Sequence, residues 1–195
     1  MTETIFKIIF LVLLILANLI RIYYSLGYKK QKQSISIKRK KELAKVILFY
    51  VSFAIPSLIY IFTNWIDFFS FRLHYAFRLL GISIIILGMI LFTWTHKTLK
   101  ENFSPILEIK KNHKLIEIGP YKRIRHPMYT SLYLLIIGFF LLSLNWLIGI
   151  VPLLGFSFLY LTRVRNEEKM MLETFGEKYN EYMKRTGRLL PKLRI

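Results

Sequence analysis

Residues 119–144 read GPYKRIRHPMYTSLYLLIIGFFLLSL, and the character of the chain changes abruptly within this stretch. Four basic side chains lie between Lys122 and His126, whereas the residues that follow Pro127 carry no charge. An uncharged run of this length is close to the ~17–25 residues that a helix needs to cross ~30 Å of hydrocarbon. The stretch therefore predicts a membrane-spanning helix that begins at a proline, directly after a dense group of cations.

Similar apolar runs recur along the chain. Hydrophobic residues make up 54% of the 195 residues, and a soluble domain of this size cannot bury so much apolar surface. Backbone groups in lipid must be hydrogen-bonded within the segment, and the runs lack the alternation of barrel strands, so we expect helices. The predicted fold class is all-α, an integral membrane protein with about five transmembrane helices. The runs are Ile8–Ile20, Val46–Ile66, Leu79–Thr95, Met128–Leu144 and Trp146–Thr162.

The net charge of +18 raises the question of a nucleic-acid partner, but the distribution of the charge argues against one. Of the 29 lysines and arginines, all but three lie in residues 21–45, 97–125 and 163–194. With five crossings, these three segments lie on the same side of the membrane, which the positive-inside rule makes the cytoplasm. We therefore expect a lipid bilayer as partner and no nucleic acid, with the N-terminus outside and the C-terminus cytoplasmic.

The polar segments differ in the structure they predict. Residues 27–45 are expected to form a solvated basic link, and residues 95–125 a cytoplasmic loop with a function, because loops of that length usually carry function. The fifth run is predicted to continue as a helix to Gly176, followed by a short polar helix. The first run has no basic segment before it and no small-residue cleavage site, so we expect a retained helix rather than a signal peptide.

Several kinds of site are excluded or disfavoured by the sequence. The chain has no cysteine, which excludes disulfides, thiolate metal sites and a cysteine nucleophile. Its four histidines lack metal-ligand spacing and there is no HExxH motif, so no metal site is predicted. No GxGxxG motif, phosphate-binding loop or Ser/His/Asp arrangement is present either.

Two polar features lie at the predicted cytoplasmic ends of the last two membrane helices. Pro127 suits the first position of a helix, where unsatisfied N–H groups and the macrodipole attract a carboxylate or phosphate. Arg163 and Glu167 are four residues apart and share a helix face, and Glu168 adds a second carboxylate. Carboxylates close to a membrane are costly unless they bind something. Each feature is also compatible with a structural role, as a cap at the membrane surface or as an exposed ion pair.

The order of motifs resembles the isoprenylcysteine carboxyl methyltransferase family, which is related to the phospholipid methyltransferases. NHKLIEIGPYKRIRHPMY is followed by a predicted hairpin and then by RVRNEEKMMLETFGEKYNEYMKRTGRLLP. The resemblance covers roughly residues 93–192, and the short five-helix prokaryotic members are the most similar. It divides a single domain, residues 1–195, into N-terminal helices (1–92) and a catalytic half (93–195).

This resemblance implies S-adenosylmethionine as methyl donor and the carboxylate of an isoprenylcysteine-like lipid as acceptor, giving a methyl ester. It implies that Arg163 binds the substrate carboxylate as the catalytic residue, and that the start of the fourth helix converges with the exit of the fifth. Glu108 matches a further cofactor contact only across a gap. Ser131 stands where the family commonly has glycine, which predicts crowding without loss of activity. The implied cofactor-binding residues are His113, Lys114, Leu115, Ile116, Tyr121, His126, Pro127, Met128, Tyr129 and Glu167.

Other functions are compatible with the same residues. A lipid amine such as phosphatidylethanolamine would be mostly protonated at neutral pH and would need a base, for which Glu168 and His126 are candidates. A sterol-reductase-like enzyme would use the basic loop to bind the phosphates of NADPH. A non-enzymatic transporter or lipid-binding scaffold would carry ionisable residues along a path through the membrane, whereas the charges here concentrate on one side. The oligomeric state is left open.

Overall fold

The computed structural model describes residues 3–26, 37–100 and 114–192. Within these ranges the chain is helical, with two short 3-10 turns and two isolated β-bridges but no strand. The predicted all-α class is therefore confirmed. The six helices are α1 (Glu3–Leu26), α2 (Ile37–Phe62), α3 (Ala76–Leu99), α4 (Pro127–Ser143), α5 (Trp146–Phe175) and α6 (Glu177–Arg185).

Four of these helices, α1, α2, α3 and α5, are long and apolar enough to cross a membrane. Helix α4 is apolar throughout but has 17 residues, which is the lower end of the ~17–25 that span hydrocarbon. Large apolar side chains of these helices, such as Val12, Leu58 and Ile90, are exposed and are suited to contact with lipid. The prediction of an integral membrane protein with about five membrane helices agrees with this architecture.

Helix α5 is longer than the membrane is thick. Its 30 residues extend about 45 Å at ~1.5 Å per residue, against ~30 Å of hydrocarbon. The apolar run of this helix ends at Thr162, so we expect residues 163–175 to project beyond the hydrocarbon. The helix ends as predicted at Gly176, whose φ of +55° is one that L side chains rarely adopt.

Helix α2 begins earlier than the sequence predicted. The solvated link expected over residues 27–45 is helical from Ile37 onward. Lysine, arginine, glutamate, leucine and alanine fill residues 38–45, and all five are good helix formers. Intrinsic propensity therefore extends the apolar helix toward its N-terminus by about two turns.

Helices α3 and α4 pack closely because glycines face the interface between them. A Cβ atom on Gly138 would lie 2.6 Å from Ile85 Cγ1, and one on Gly81 would lie 2.7 Å from the Leu142 backbone nitrogen. Small residues at such positions allow membrane helices to approach closely. Phe10 of α1 and Phe139 of α4 lie in the adjoining buried core, with ring centroids 4.7 Å apart.

The two ends of the bundle carry separate polar networks. At one end, the Asn145 side chain donates to the Ile66 carbonyl at 2.7 Å, and Arg78 pairs with Glu3 at 2.7 Å. The opposite end, where α2 and α4 begin and α5 leaves its apolar part, carries Arg125 and Arg163; we call it the basic end.

The C-terminal segment covers the start of α4 at the basic end. The backbone N–H of Arg125 donates to the Gly187 carbonyl at 2.8 Å, and that of His126 donates to the Arg188 carbonyl at 3.0 Å. The Thr130 hydroxyl donates to the Leu189 carbonyl at 2.6 Å. These bonds fix the residues after α6 against the chain that leads into α4.

Candidate active site

The start of α4 and the exit of α5 meet at the basic end. The Tyr129 hydroxyl donates to Glu167 Oε1 at 2.6 Å, and Arg163 Nη2 donates to the same oxygen at 3.1 Å. Tyr129 and Arg163 are both buried. Pro127 occupies the first position of α4, as predicted. The predicted convergence of these two helix ends is therefore confirmed, whereas the role of each residue remains a prediction.

Glu168 is held from several directions. It accepts from Arg125 Nε at 3.0 Å and from Arg188 Nη2 at 2.6 Å, and His126 Nε2 lies 3.4 Å away. Burial alone would raise the pKa of this carboxyl, but the hydrogen bonds from His126, Arg188 and Arg125 outweigh burial and lower the pKa to about 2. Glu168 is therefore an ionised carboxylate that ties α5 to the start of α4 and to the C-terminal segment. A carboxylate of such low basicity is a weak candidate for the base that an amine acceptor would need.

Glu167 is less fully engaged than its neighbour. Its side chain is 22% exposed, against 7% for Glu168. Its Oε2 lies 3.5 Å from His126 Nδ1, which is too long for a good hydrogen bond. Glu167 thus retains capacity to accept from a cationic group.

The first turn of α4 offers donors next to this carboxylate. His126 precedes the helix and makes no side-chain capping hydrogen bond. The N–H groups of Met128 and Tyr129, in the first turn, have no acceptor within the helix. The basic end can therefore hold a ligand that carries a cation and an anion close together.

Tyr121 also lies near Glu167. It is buried in the 3-10 turn Gly119–Lys122, and its carbonyl accepts from the Tyr182 hydroxyl at 2.7 Å. Burial raises the pKa of its phenol, and the negative charge of Glu167 adds to this effect.

The other predicted cofactor residues stand as follows. Leu115 and Ile116 are half-buried and Lys114 is exposed in the segment that leads into the 3-10 turn, and their roles remain predictions. His113 and Glu108 lie outside the described residues. Ser131 is buried, and its hydroxyl donates to the Met128 carbonyl at 2.7 Å.

A further carboxylate at this site was missed by the sequence analysis. Glu42 of α2 places Oε2 3.7 Å from Arg163 Nε, while its Oε1 lies 2.8 Å from Lys45 Nζ. The available signal was one acidic residue within the basic segment KRKKELAK, residues 38–45. Its link to Arg163 could not be predicted, because the two residues are 121 positions apart in the chain.

An apolar cavity of about 70 Å³ lies between α1, α2, α3 and α4, next to Tyr129 and its apolar neighbours. Phe49 and Ile136 line it and also pack in the same apolar cluster as Tyr129. Arg21 and Tyr50 also line the cavity, and the Arg21 guanidinium lies 3.4 Å from the centroid of the Tyr50 ring. A space with an apolar body and a cationic end suits an amphipathic ligand.

Comparison with known proteins shows what this chain is similar to. The model of the isoprenylcysteine carboxyl methyltransferase (ICMT) family matches residues 79–173. The protein-S-isoprenylcysteine O-methyltransferase of Saccharomyces cerevisiae is 34% identical over 114 residues, which cover 57% of this chain and 48% of that protein. The Tribolium castaneum protein of the same name is 27% identical over 139 residues, covering 66% and 49%. The chain thus spans about half the length of these two relatives.

A relative with a different name is also similar. The cobalt-zinc-cadmium resistance protein CzcN of Cupriavidus metallidurans is 26% identical over 145 residues, covering 74% of this chain and 62% of that protein. In the part of the chain that the structure describes, no group of three or more His, Cys, Asp or Glu side chains is arranged to hold a metal ion.

A solved structure shares the fold. The eukaryotic intramembrane Ras methyltransferase ICMT superimposes with a TM-score of 0.54 at 22% identity, covering 82% of this chain and 54% of that chain. The common architecture therefore extends beyond residues 79–173 into the N-terminal helices.

Proposed function

We propose that the protein transfers a methyl group from S-adenosylmethionine to the carboxylate of an isoprenylcysteine-like lipid, because residues 79–173 match the model of the isoprenylcysteine carboxyl methyltransferase family. The product is a methyl ester. The observation that supports this most directly is the meeting of Tyr129, Arg163 and Glu167 at the basic end, beside an apolar cavity. A water-soluble donor and a lipid acceptor can both reach that position.

The residues at the basic end fit the proposed cofactor. Glu167 is partly exposed and suits the ammonium of the methionine part, while the N–H groups at the start of α4 suit its carboxylate. The ring faces of Tyr121 and Tyr129 favour a nearby cation such as the sulfonium. When bound, the cofactor supplies an electrophilic methyl group. The remaining proposed contacts are His113, Lys114, Leu115, Ile116, His126, Pro127 and Met128.

Arg163 is proposed to bind and orient the acceptor carboxylate. Its buried guanidinium already lies beside carboxylate oxygens, and the planar fork of arginine binds a carboxylate through two hydrogen bonds. The acceptor needs no base, since a free carboxyl has a pKa of ~3.3–3.7 and is ionised at neutral pH. The protein's work is then to align the reactants and exclude water, and such positioning can lower a barrier by ~7–11 kcal/mol.

The apolar cavity is proposed to take the end of the lipid chain. It lies among membrane helices and adjoins the Tyr129 cluster, so a chain that enters sideways from the bilayer would bring its polar end toward Arg163. In this proposal the basic end faces the cytoplasm, with the N-terminus outside and the C-terminus inside, as the distribution of lysine and arginine indicates.

A lipid amine is a second candidate acceptor, because Glu42 and Glu167 place two carboxylates beside Arg163. A pair of anions attracts an ammonium group. The two acceptors differ in charge, so one assay separates them.

The test uses purified protein in detergent. We expect S-adenosylhomocysteine to raise the melting temperature and NADPH to leave it unchanged, because a ligand stabilises the folded state that it binds. With radiolabelled S-adenosylmethionine, label should pass to an N-acetylated S-prenylcysteine and not to phosphatidylethanolamine. Labelling of the amine alone would replace the carboxylate proposal, and stabilisation by NADPH alone would overturn the methyltransferase assignment.

A further inference from the structure

We infer that Glu42 is a positioning residue that holds the Arg163 guanidinium until an acceptor carboxylate takes its place. The inference rests on the proposed function and adds to it a reason for selecting an anionic acceptor. Glu42 lies in α2, outside the residues that match the family model. Nothing in that match assigns it a role.

The geometry places two carboxylates along one edge of Arg163. Nη2 donates to Glu167 at 3.1 Å, and Nε faces Glu42 Oε2 at 3.7 Å. A carboxylate that binds a guanidinium side-on uses this same pair, Nε and Nη2. An arriving acceptor therefore competes for the position that Glu42 occupies.

Glu42 is the more weakly held of the two carboxylates. Glu167 accepts a hydrogen bond from Arg163 and another from Tyr129. By contrast, Oε2 of Glu42 is buried and accepts no hydrogen bond from the described residues. The side chain as a whole is 13% exposed. A buried acceptor without a hydrogen bond destabilises its own arrangement, so an exchange at Nε displaces Glu42 and not Glu167.

When the Glu42 carboxylate leaves Arg163, it remains paired with the cation of Lys45. The lysine is one turn further along α2, and its Nζ already donates to Glu42 Oε1 at 2.8 Å. A small rotation of the carboxylate toward Lys45 keeps both charges paired. Before the exchange, Glu42 places a second carboxylate beside the buried Arg163 guanidinium, in addition to Glu167. A neutral lipid offers no charge to replace Glu42 and is therefore disfavoured.

Glu42→Gln tests the inference, because it keeps the size of the side chain and removes the competing charge. We expect the KM for a prenylcysteine carboxylate to fall about three- to tenfold, as expected for loss of a modest ion-pair competitor. The kcat should change less than twofold. Direct binding of the same lipid, followed by thermal shift, should tighten by a similar factor, whereas binding of the lipid's neutral carboxamide should not change.

Two further variants make the outcome decisive. Glu173→Gln is the matched control, because Glu173 is an exposed carboxylate on α5 that pairs with Lys169, and parent-like behaviour is expected. Lys45→Met removes the cation that receives Glu42 and should raise the KM for the carboxylate. This opposite sign tests the exchange even if Glu42→Gln does not fold.

Four results would overturn the inference, and three of them concern the carboxylate and its carboxamide. They are unchanged or weaker carboxylate binding in Glu42→Gln, equal tightening for the carboxamide, and a parent-like KM in Lys45→Met. Loss of binding to a lipid amine in Glu42→Gln would also overturn it, and would favour the amine acceptor. The parent protein could bind the lipid carboxylate, and the variants could change that binding as expected, without any methylation of the lipid. The proposed function would then fail while the exchange at Arg163 stands.

Discussion

Glu167 and Glu168 are adjacent residues, and the groups around them give them different tasks. Arg125, Arg188 and His126 surround Glu168 and leave it little capacity for a ligand. Glu167 is more exposed and shares one oxygen between Tyr129 and Arg163. Their different partners explain how a structural carboxylate and the proposed binding carboxylate can lie side by side on one helix.

Substitutions of Arg163 and of Glu167 should have different effects, the first on methylation of the lipid and the second on binding of the cofactor. Arg163→Lys keeps the charge but loses the planar fork, so we expect kcat/KM for the lipid to fall about 10- to 100-fold with cofactor binding within about twofold of the parent. Glu167→Gln should instead weaken cofactor binding by about tenfold or more. Isothermal titration with S-adenosylhomocysteine measures cofactor binding, and initial rates of methylation measure kcat/KM for the lipid. Parent-like binding and turnover in both variants would show that the assigned roles are wrong.

The environment of Glu168 predicts sensitivity to acid. Its pKa is about 2 in the folded protein and returns to its ordinary value of 4.5 on unfolding. Its contribution to stability is therefore complete above pH ~4.5 and is lost as the pH falls toward 2. We expect the melting temperature in detergent to drop between pH 5 and pH 3, and the drop to be smaller in Glu168→Gln. An equal drop in both proteins would mean that other carboxylates account for the acid sensitivity.

At the scale of helices, the close contact between α3 and α4 depends on having no side chain at Gly138. An added Cβ would meet the Gly81 carbonyl oxygen at 2.9 Å and the Ile85 nitrogen at 2.9 Å. Backbone atoms cannot move aside cheaply, so Gly138→Ala should destabilise the protein by about 1–3 kcal/mol, as overpacking usually does. Ile137→Ala is the control, because Ile137 is exposed on the adjacent position. Equal melting temperatures for the two variants would contradict this account.

The sequence predicts individual helices better than the contacts between them. Pro127 and Gly176 mark helix ends through properties of their own backbones, and the four-residue spacing predicts that Arg163 and Glu167 share a helix face. Helix α2 begins before its apolar run because the charged segment has a high helix propensity of its own, which the hydrophobic pattern does not reveal. The positions of Glu42 and Arg188 could not be predicted, because each is fixed by partners from distant parts of the chain.

At the scale of the whole molecule, the two ends of the helix bundle carry different kinds of side chain. The basic end carries the proposed site, and the other end exposes aromatic side chains such as Trp65 and Phe68. Aromatic residues are common where a helix bundle meets the membrane surface, and the cationic end is usually cytoplasmic. In the proposed orientation, a soluble donor would arrive from the cytoplasm and the lipid acceptor from the bilayer.

The absence of cysteine from the chain allows a direct test of this orientation, since each introduced thiol is unique. Phe68→Cys places a thiol at a residue that is 90% exposed at the end opposite the basic end, and Lys178→Cys places one on the exposed surface of α6 at the basic end. With a membrane-impermeant maleimide on intact cells, we expect Phe68→Cys to be labelled and Lys178→Cys to be labelled only after permeabilisation. Labelling of Lys178→Cys in intact cells would place the proposed site on the outer surface, where a cytoplasmic methyl donor could not reach it.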